Sequence, residues 1–423
     1  MQWPKPARVR PAAPPSLVAL AKCGRGMPVS ATATAPTPTV TLVSTYPPTV
    51  CGLATFTSNL AAAIAGPAAD WRTAIVRVLD RAEDEVHEEV VAQWIAGDRA
   101  SLVRAVAAIE SSDVVVLQHE YGLFGRPDGD EVLELTGALR VPLIAVLHTV
   151  LANPTEHQCS VLDGVITAAS AVVVQSEAAR GRLIAAHGTD PDKVVVIPHG
   201  AVANFAGPVD RDVRRPAILT WELLGPGKRI GYGIAAVSLL QGHSPAPTYI
   251  VTGQTHPKVL ATQGERYRNQ LRDLGLALEL GRHLQFDDSY REWESLRALV
   301  RSVDVVLLPY DSLDQVCSGV LVEALASAKP VVATRFPLAQ ELLSNGAGLV
   351  APQGDVAAMA AALERILYEP GLAAQLSEAA RRRASVLLWP SVGAAYRELI
   401  AVTLTARLLA PASSGRPPSS RSR

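Results

Sequence analysis

The residue types best suited to chemistry in this chain gather in the run Gln315-Val-Cys-Ser318-Gly319-Val320-Leu-Val-Glu323. Ser318 is an N-cap type ahead of an apolar stretch reaching about Ala328, so a helix is expected to begin at Gly319. Its first N–H groups, from Gly319 through Val320 to Leu321, would then be free to meet an anion such as a diphosphate. Glu323 follows about one and a half turns later, where a carboxylate can accept from both hydroxyls of a vicinal diol such as a ribose. An exposed helix acid is the plainer alternative for Glu323.

A second candidate is Trp221-Glu-Leu-Leu-Gly-Pro-Gly-Lys228-Arg229, which joins a predicted strand to a helix. Cations at a helix start oppose the helix dipole, and a bound phosphate would supply the missing reason for Lys228 and Arg229. Two solvated basic side chains are the alternative. Near the N-terminus, Gly52 lies between a strand and a helix and would let backbone approach a ligand. No Gly-x-Gly-x-x-Gly follows that strand, which argues against a dinucleotide-dependent dehydrogenase.

Three histidines, His119, His148 and His199, fall at predicted strand ends or loops. An imidazole there can donate a hydrogen bond or share a proton near neutral pH. His148 closes a strand and precedes Thr149, while His119 closes a neighbouring one and precedes Glu120, a candidate partner or substrate contact.

The elements that must position these residues are legible as short β-branched runs alternating with helical lengths, the pattern of parallel sheets covered by helices. The first half gives strands at Val40–Ser44, Thr73–Val78, Asp113–Gln118, Pro142–Leu147, Ala171–Gln175 and Lys193–Ile197. The second gives Ala217–Trp221, Thr248–Thr252, His283–Phe286, Asp304–Leu308, Pro330–Thr334 and Gly348–Val350. Between them, Pro198–Pro216 lacks periodicity and reads as a linker. The expected fold class is therefore α/β with two facing Rossmann-like domains, 40–205 and 206–385, and a site in the cleft between them. Residues 1–39 and 410–423, rich in Pro, Ala, Thr, Ser and Arg, read as disordered ends.

Composition narrows the function. Against 40 Asp plus Glu stand 39 Lys plus Arg, so no global charge draws a nucleic acid, and any anion must be held locally. Cys23, Cys51, Cys159 and Cys317 show no zinc or redox spacing, which fits a reduced, cytoplasmic protein without a metal site. Leu135–Leu151 is broken by Arg140, Pro142 and His148, so no span crosses a bilayer, though peripheral contact with the inner face of a membrane stays open. Pro11, Pro14 and Pro15 leave only a short apolar piece around Leu17–Leu20, too little for a signal peptide.

Taken together these residues resemble the retaining glycosyltransferases of family 4, over roughly Val40 to Ala406. The resemblance rests on the Gly52 loop, strand-ending His148, Ile197-Pro-His-Gly200, and Ser318-Gly319-Val-Leu-Val-Glu323-Ala-Leu-Ala with its following Lys-Pro-Val-Val-Ala-Thr. A bacterial branch is closer still, through Gln118-His-Glu-Tyr-Gly-Leu-Phe-Gly125, Leu147-His-Thr-Val-Leu151 and Gly253-Gln-Thr-His-Pro257. That resemblance implies the GT-B architecture, with a C-terminal helix, 386–409, crossing back to the first domain. It implies a nucleotide-diphosphate sugar as donor substrate, held by the second domain with no cofactor or metal. The acceptor, bound by the first domain, would be a glycan, a lipid-linked sugar or a small molecule.

On that pattern Lys228, with Arg229, contacts the donor diphosphate, the amides after Ser318 add to it, and Glu323 holds the ribose. His148 lies near the transferred sugar, Gly52 borders the phosphate, and His119, Glu120 and Thr149 are candidate sugar or acceptor contacts. Two positions depart from the pattern. Gln315 stands where the family has the first Glu of Glu-x7-Glu, and Leu223 stands where an Arg precedes the phosphate lysine. An amide bonds to hydroxyls but carries no charge for an oxocarbenium-like transition state. The rival functions are a sugar-nucleotide epimerase or phosphorylase of the same fold, and a non-catalytic sugar-nucleotide-binding protein.

Overall fold

The computed structural model describes residues 37–409, apart from 67–70, 84–86, 208, 211, 290, 313 and 315. The expected disordered ends therefore lie almost wholly outside the described residues, as does Gln315. Thirteen strands among the described residues form two sheets, and every pairing within them is parallel.

The first sheet holds β1 (Thr39–Ser44), β2 (Arg72–Leu79), β3 (Val90–Ile95), β4 (Val114–His119), β5 (Leu143–Leu147), β6 (Ala171–Val174) and β7 (Val194–Val196), in the order 3-2-1-4-5-6-7. The second holds β8 (Ala217–Trp221), β9 (Thr248–Thr252), β10 (Leu284–Asp287), β11 (Val305–Leu308), β12 (Val331–Thr334) and β13 (Gly348–Ala351), in the order 10-9-8-11-12-13. Such strands are apolar on both faces because helices cover both. Thus Val114 and Val116 enter one apolar cluster, whereas Val115 and Leu117 enter the cluster on the opposite face.

One strand escaped the sequence reading. β3 is an edge strand that pairs only with β2, and of its residues only Val90 and Trp94 are buried. Its run Val-Val-Ala-Gln-Trp-Ile follows an acidic stretch and lacks the continuous apolar signature of a central strand.

Each sheet reverses its strand order once, between β1 and β4 in the first and between β8 and β11 in the second. At such a switch point neighbouring loops leave in opposite directions and open a crevice beyond the strand ends. The segments concerned carry Cys51 and Gly52 after β1, Glu120 after His119 at the end of β4, Glu222 to Lys228 after β8, and Tyr310, Cys317 and Ser318 after β11. The topology thus brings four separate stretches of sequence to two crevices.

The helix Trp389–Leu409 returns to the first half. Val392, Tyr396 and Ile400 are buried against Phe56, Leu60 and Ile64 of the helix Gly52–Ala65. The two helices touch closely, since a Cβ on Gly393 would stand 2.4 Å from the Ala63 carbonyl oxygen. Where the chain crosses between the halves, Ala201 and Leu388 pair as a parallel bridge, and Trp389 packs directly on Gly200. Among the described residues no helix is long and apolar enough to cross a membrane.

Candidate active site

A cavity of about 520 Å³ lies at these crevices and is lined from both halves of the chain. Cys51, Gly52, Thr55, Phe56 and Asn59 come from the first half. Glu222, Lys228, Tyr310, Ser318, Gly319 and Glu323 come from the second. His199, Gly200 and Trp389, at the two crossings, complete the floor.

The loop after β8 ends in a 3-10 turn, Pro226–Lys228, and then Arg229 adopts a left-handed conformation at φ 50° before the next helix starts. Both cations have carboxylate partners. Lys228 Nζ lies 2.9 Å from Glu222 Oε2 and 4.4 Å over the Tyr310 ring. Burial raises the pKa of Glu222, and Lys228 offsets part of that rise. Arg229 pairs with Asp311 instead and is half exposed, outside the cavity lining. The cations at this helix start are thus balanced by the chain itself, and only Lys228 faces the cavity.

The helix Gly319–Ala326 begins as its sequence dictates, with Ser318 Oγ accepting from Leu321 N at 3.3 Å. This cap uses one of the three N–H groups expected to be free, so Gly319 and Val320 remain to face the cavity. Glu323 lines the same cavity. Burial lifts its carboxyl to a pKa of about 7, while Arg297 and the Val202 amide favour the ionised form.

On the first half, Cys51 rather than Gly52 caps its helix, its Sγ accepting from Ala54 N at 3.3 Å. Gly52 is open, with no atom within 4 Å of where a Cβ would stand. His148 lies behind this wall, edge-on to Phe56 at 4.8 Å, and is not itself in the cavity lining. Its Nε2 is 3.1 Å from Gln118 Oε1 and its Nδ1 is 3.2 Å from Gln175 Nε2. A carbonyl oxygen accepts and an amide nitrogen donates, so His148 carries its proton on Nε2. The chain of bonds continues from Gln118 Nε2 to Thr57 Oγ1 at 2.8 Å and from the Cys317 thiol to Gln175 Oε1. Burial, reinforced by His199 and His119, drives the His148 pKa down to about 3, so it is neutral.

The other sequence candidates separate. His119 is fully buried between Tyr121 and Phe124, and neither ring nitrogen has a partner among the described residues. Burial lowers its pKa to about 4. Glu120 and Thr149 do meet, with Thr149 Oγ1 donating to Glu120 Oε2 at 2.6 Å. His199 lines the cavity and donates from Nδ1 to the Gly200 carbonyl at 2.7 Å, leaving Nε2 as an acceptor beside Gly319. Burial brings its pKa to about 4.

Sequence reasoning missed Glu222, Tyr310, Gln118 and Gln175 as parts of the site. Glu222 carried a usable signal, an acid directly after a buried strand and six residues before a lysine on the same loop. The two glutamines carried none, because their roles depend on three strands lying side by side.

Fold and cavity together define the GT-B class, two Rossmann-like halves with the site between them. Residues 208–383 match the family model described as glycosyl transferases group 1. A D-inositol 3-phosphate glycosyltransferase from Salinispora arenicola (strain CNS-205) is 28% identical over 320 residues, 69% of each chain. Its counterpart from Kineococcus radiotolerans is 29% identical over 258 residues, 56% of this chain and 58% of that one. Among solved structures, sucrose-phosphate synthase from Thermosynechococcus elongatus superposes with a TM-score of 0.68 at 18% identity, over 87% of this chain and all of that one. HepE from Anabaena, solved with UDP, gives 0.67 at 19% identity, again over 87% of this chain and all of its own. These likenesses support a GT-B glycosyltransferase.

Proposed function

We propose that this chain is a retaining, family 4-like glycosyltransferase that moves a sugar from a nucleoside diphosphate to an acceptor hydroxyl. The observation that carries the reading is that Lys228, the Ser318-capped helix start and Glu323 line one cavity, although about a hundred residues separate them in sequence. A nucleoside diphosphate matches that set. The diphosphate meets Lys228 and the Gly319 and Val320 amides, and the ribose diol meets Glu323.

In the reaction, the bond from the anomeric carbon to the diphosphate breaks and the diphosphate takes the electron pair. Lys228 and the helix amides stabilise the growing charge. The acceptor oxygen attacks from the face the diphosphate leaves, and its proton passes to a diphosphate oxygen. Neutral His148, held through Gln118 and Gln175, fixes the wall behind the transferred sugar, and Gln315 would bond to its hydroxyls. Glu120, accepting from Thr149, and His119 would serve the acceptor or sugar side. No metal enters this scheme, and activity is expected to survive EDTA.

The curated relatives are named for transfer to D-inositol 3-phosphate, which makes a small polyol or its phosphate the first acceptor to try, ahead of a glycan or a lipid-linked sugar at the inner membrane face. The test is nucleotide release from a panel of UDP-, GDP- and ADP-sugars with and without acceptors, and NMR of the product anomer. Inverted product would overturn retention; binding without release under every condition would overturn transfer. That last outcome is the second reading, sugar-nucleotide binding alone, which draws support from Glu222 already neutralising Lys228.

A further inference from the structure

Each lysine or arginine in the cavity lining already has a carboxylate partner. Lys228 is paired with Glu222, and Arg291 with Asp287 and Asp210. Leu223, also in the lining, adds no charge. A diphosphate carries at least two negative charges into this space, so a further positive group would favour its binding.

His256 is placed to supply it. The loop Gly253–His256 runs alongside Glu222–Leu224, with Leu224 N bonded to Gln254 O at 2.8 Å and His256 N bonded to Leu224 O at 2.9 Å. The two loops approach so closely that a Cβ on Gly253 would stand 1.9 Å from the Glu222 carbonyl oxygen. His256 thereby joins the cavity wall beside Leu223 and Lys228. Its Nδ1 accepts from Lys258 N at 3.2 Å, which assigns the ring hydrogen to Nε2.

The loop is braced from behind. Buried Arg268 donates to Gly253 O at 2.7 Å and pairs with Glu265 and Asp288, while Thr255 donates to Glu265. A ring on so rigid a support meets a ligand without reordering.

We propose that His256 is a donor-binding residue that takes up a proton with the nucleotide sugar and ligates its diphosphate from the wall it shares with Leu223 and Lys228. This rests on the donor-site reading above. Before binding, burial and then the ammonium groups of Lys258 and Lys228 keep the imidazole neutral at pH 7. Glu222 is tied to Lys228 and Glu265 to Arg268 and Thr255, so neither carboxylate offsets that repulsion. A diphosphate beside the ring reverses the field, and the imidazolium then forms a charge-assisted hydrogen bond.

The test is calorimetry with UDP, GDP and ADP, and with the nucleoside of whichever binds best, on the wild-type chain and H256N. Asn is a good N-cap, so H256N keeps the bond to Lys258 N and the fold, which an unchanged Tm checks. The expected result is a loss of about tenfold to a hundredfold in diphosphate affinity with nucleoside affinity kept. At pH 6.5, the wild type should also take up more protons per diphosphate than H256N. Equal losses for nucleoside and diphosphate, unchanged affinity, or equal proton uptake would each overturn the assignment. Wild-type protein that binds no nucleoside diphosphate would overturn the donor site as well, whereas binding that H256N leaves intact removes His256 alone.

Discussion

Lys228 Nζ stands 2.9 Å from Glu222 Oε2, so the cation that faces the cavity is held by an acid from the same loop. The pair sets a competition between carboxylate and diphosphate for one ammonium group. Lys228→Ala removes the group that stabilises leaving-group charge, and turnover should fall by about 10² to 10³-fold. Glu222→Gln removes the competitor and should tighten nucleoside diphosphate binding. Calorimetry on both variants checks the opposed directions, and weaker binding in Glu222→Gln would mean that Glu222 instead orients Lys228.

Gly253 is a position where only glycine fits. Its φ is +129° and its missing Cβ would overlap the Glu222 backbone. Gly253→Ala should therefore cost more than about 2 kcal/mol and push the Glu222 loop out of place. A lower Tm together with lost nucleotide binding is expected; Gly281→Ala, also at positive φ but with open space around it, should lose much less.

The His148 network makes a spectroscopic prediction. With Gln118 accepting and Gln175 donating, the ring is neutral and protonated on Nε2. Gln175→Glu puts a carboxylate at Nδ1, where it favours the doubly protonated ring. Imidazole nitrogen shifts should show no titration of His148 between pH 5 and 8 in the wild type and a raised pKa in Gln175→Glu.

The buried histidines should lower stability on mild acidification. His119, His148 and His199 have folded pKa values of about 4, about 3 and about 4, below the ordinary histidine value, so below pH 6.5 the unfolded chain binds more protons. Their contribution is present at pH 7 and is lost towards pH 4, at up to about 4 kcal/mol per pH unit for three protons. Glu323, raised to about 7, acts oppositely and costs stability as pH rises from 4.5 to 7, at about 1.4 kcal/mol per unit. Glu222, Glu120 and Glu341, also raised by burial, act on the side of Glu323, and urea midpoints at pH 7 and pH 5 check the balance. His119→Leu, which removes a buried ring without hydrogen-bond partners, should flatten that dependence by about 1.4 kcal/mol per pH unit.

Much of this was readable along the chain because it is local. Ser318 caps the helix three residues on, and strand runs such as Ala217–Trp221 and Thr248–Thr252 fall where their apolar content puts them. Periodicity, caps and turn glycines act within a few residues, so they survive in a sequence read alone. The parallel α/β class followed from the same local signals, whereas β3, an edge strand with only Val90 and Trp94 buried, lacks the continuous apolar run that signals a buried strand.

The helix start at Ser318, with Lys228 and Glu323, was legible as a set of residue types suited to a nucleotide. What only the tertiary structure decided is who answers each of them. Lys228 meets Glu222 and Tyr310, His148 meets Gln118 and Gln175, and His256 comes beside Leu223. Strand order and loop pairing make those encounters, and they join residues up to 82 positions apart, as Lys228 and Tyr310 are. Charge balance and protonation depend on such neighbours and on burial, neither of which is a property of any stretch of sequence.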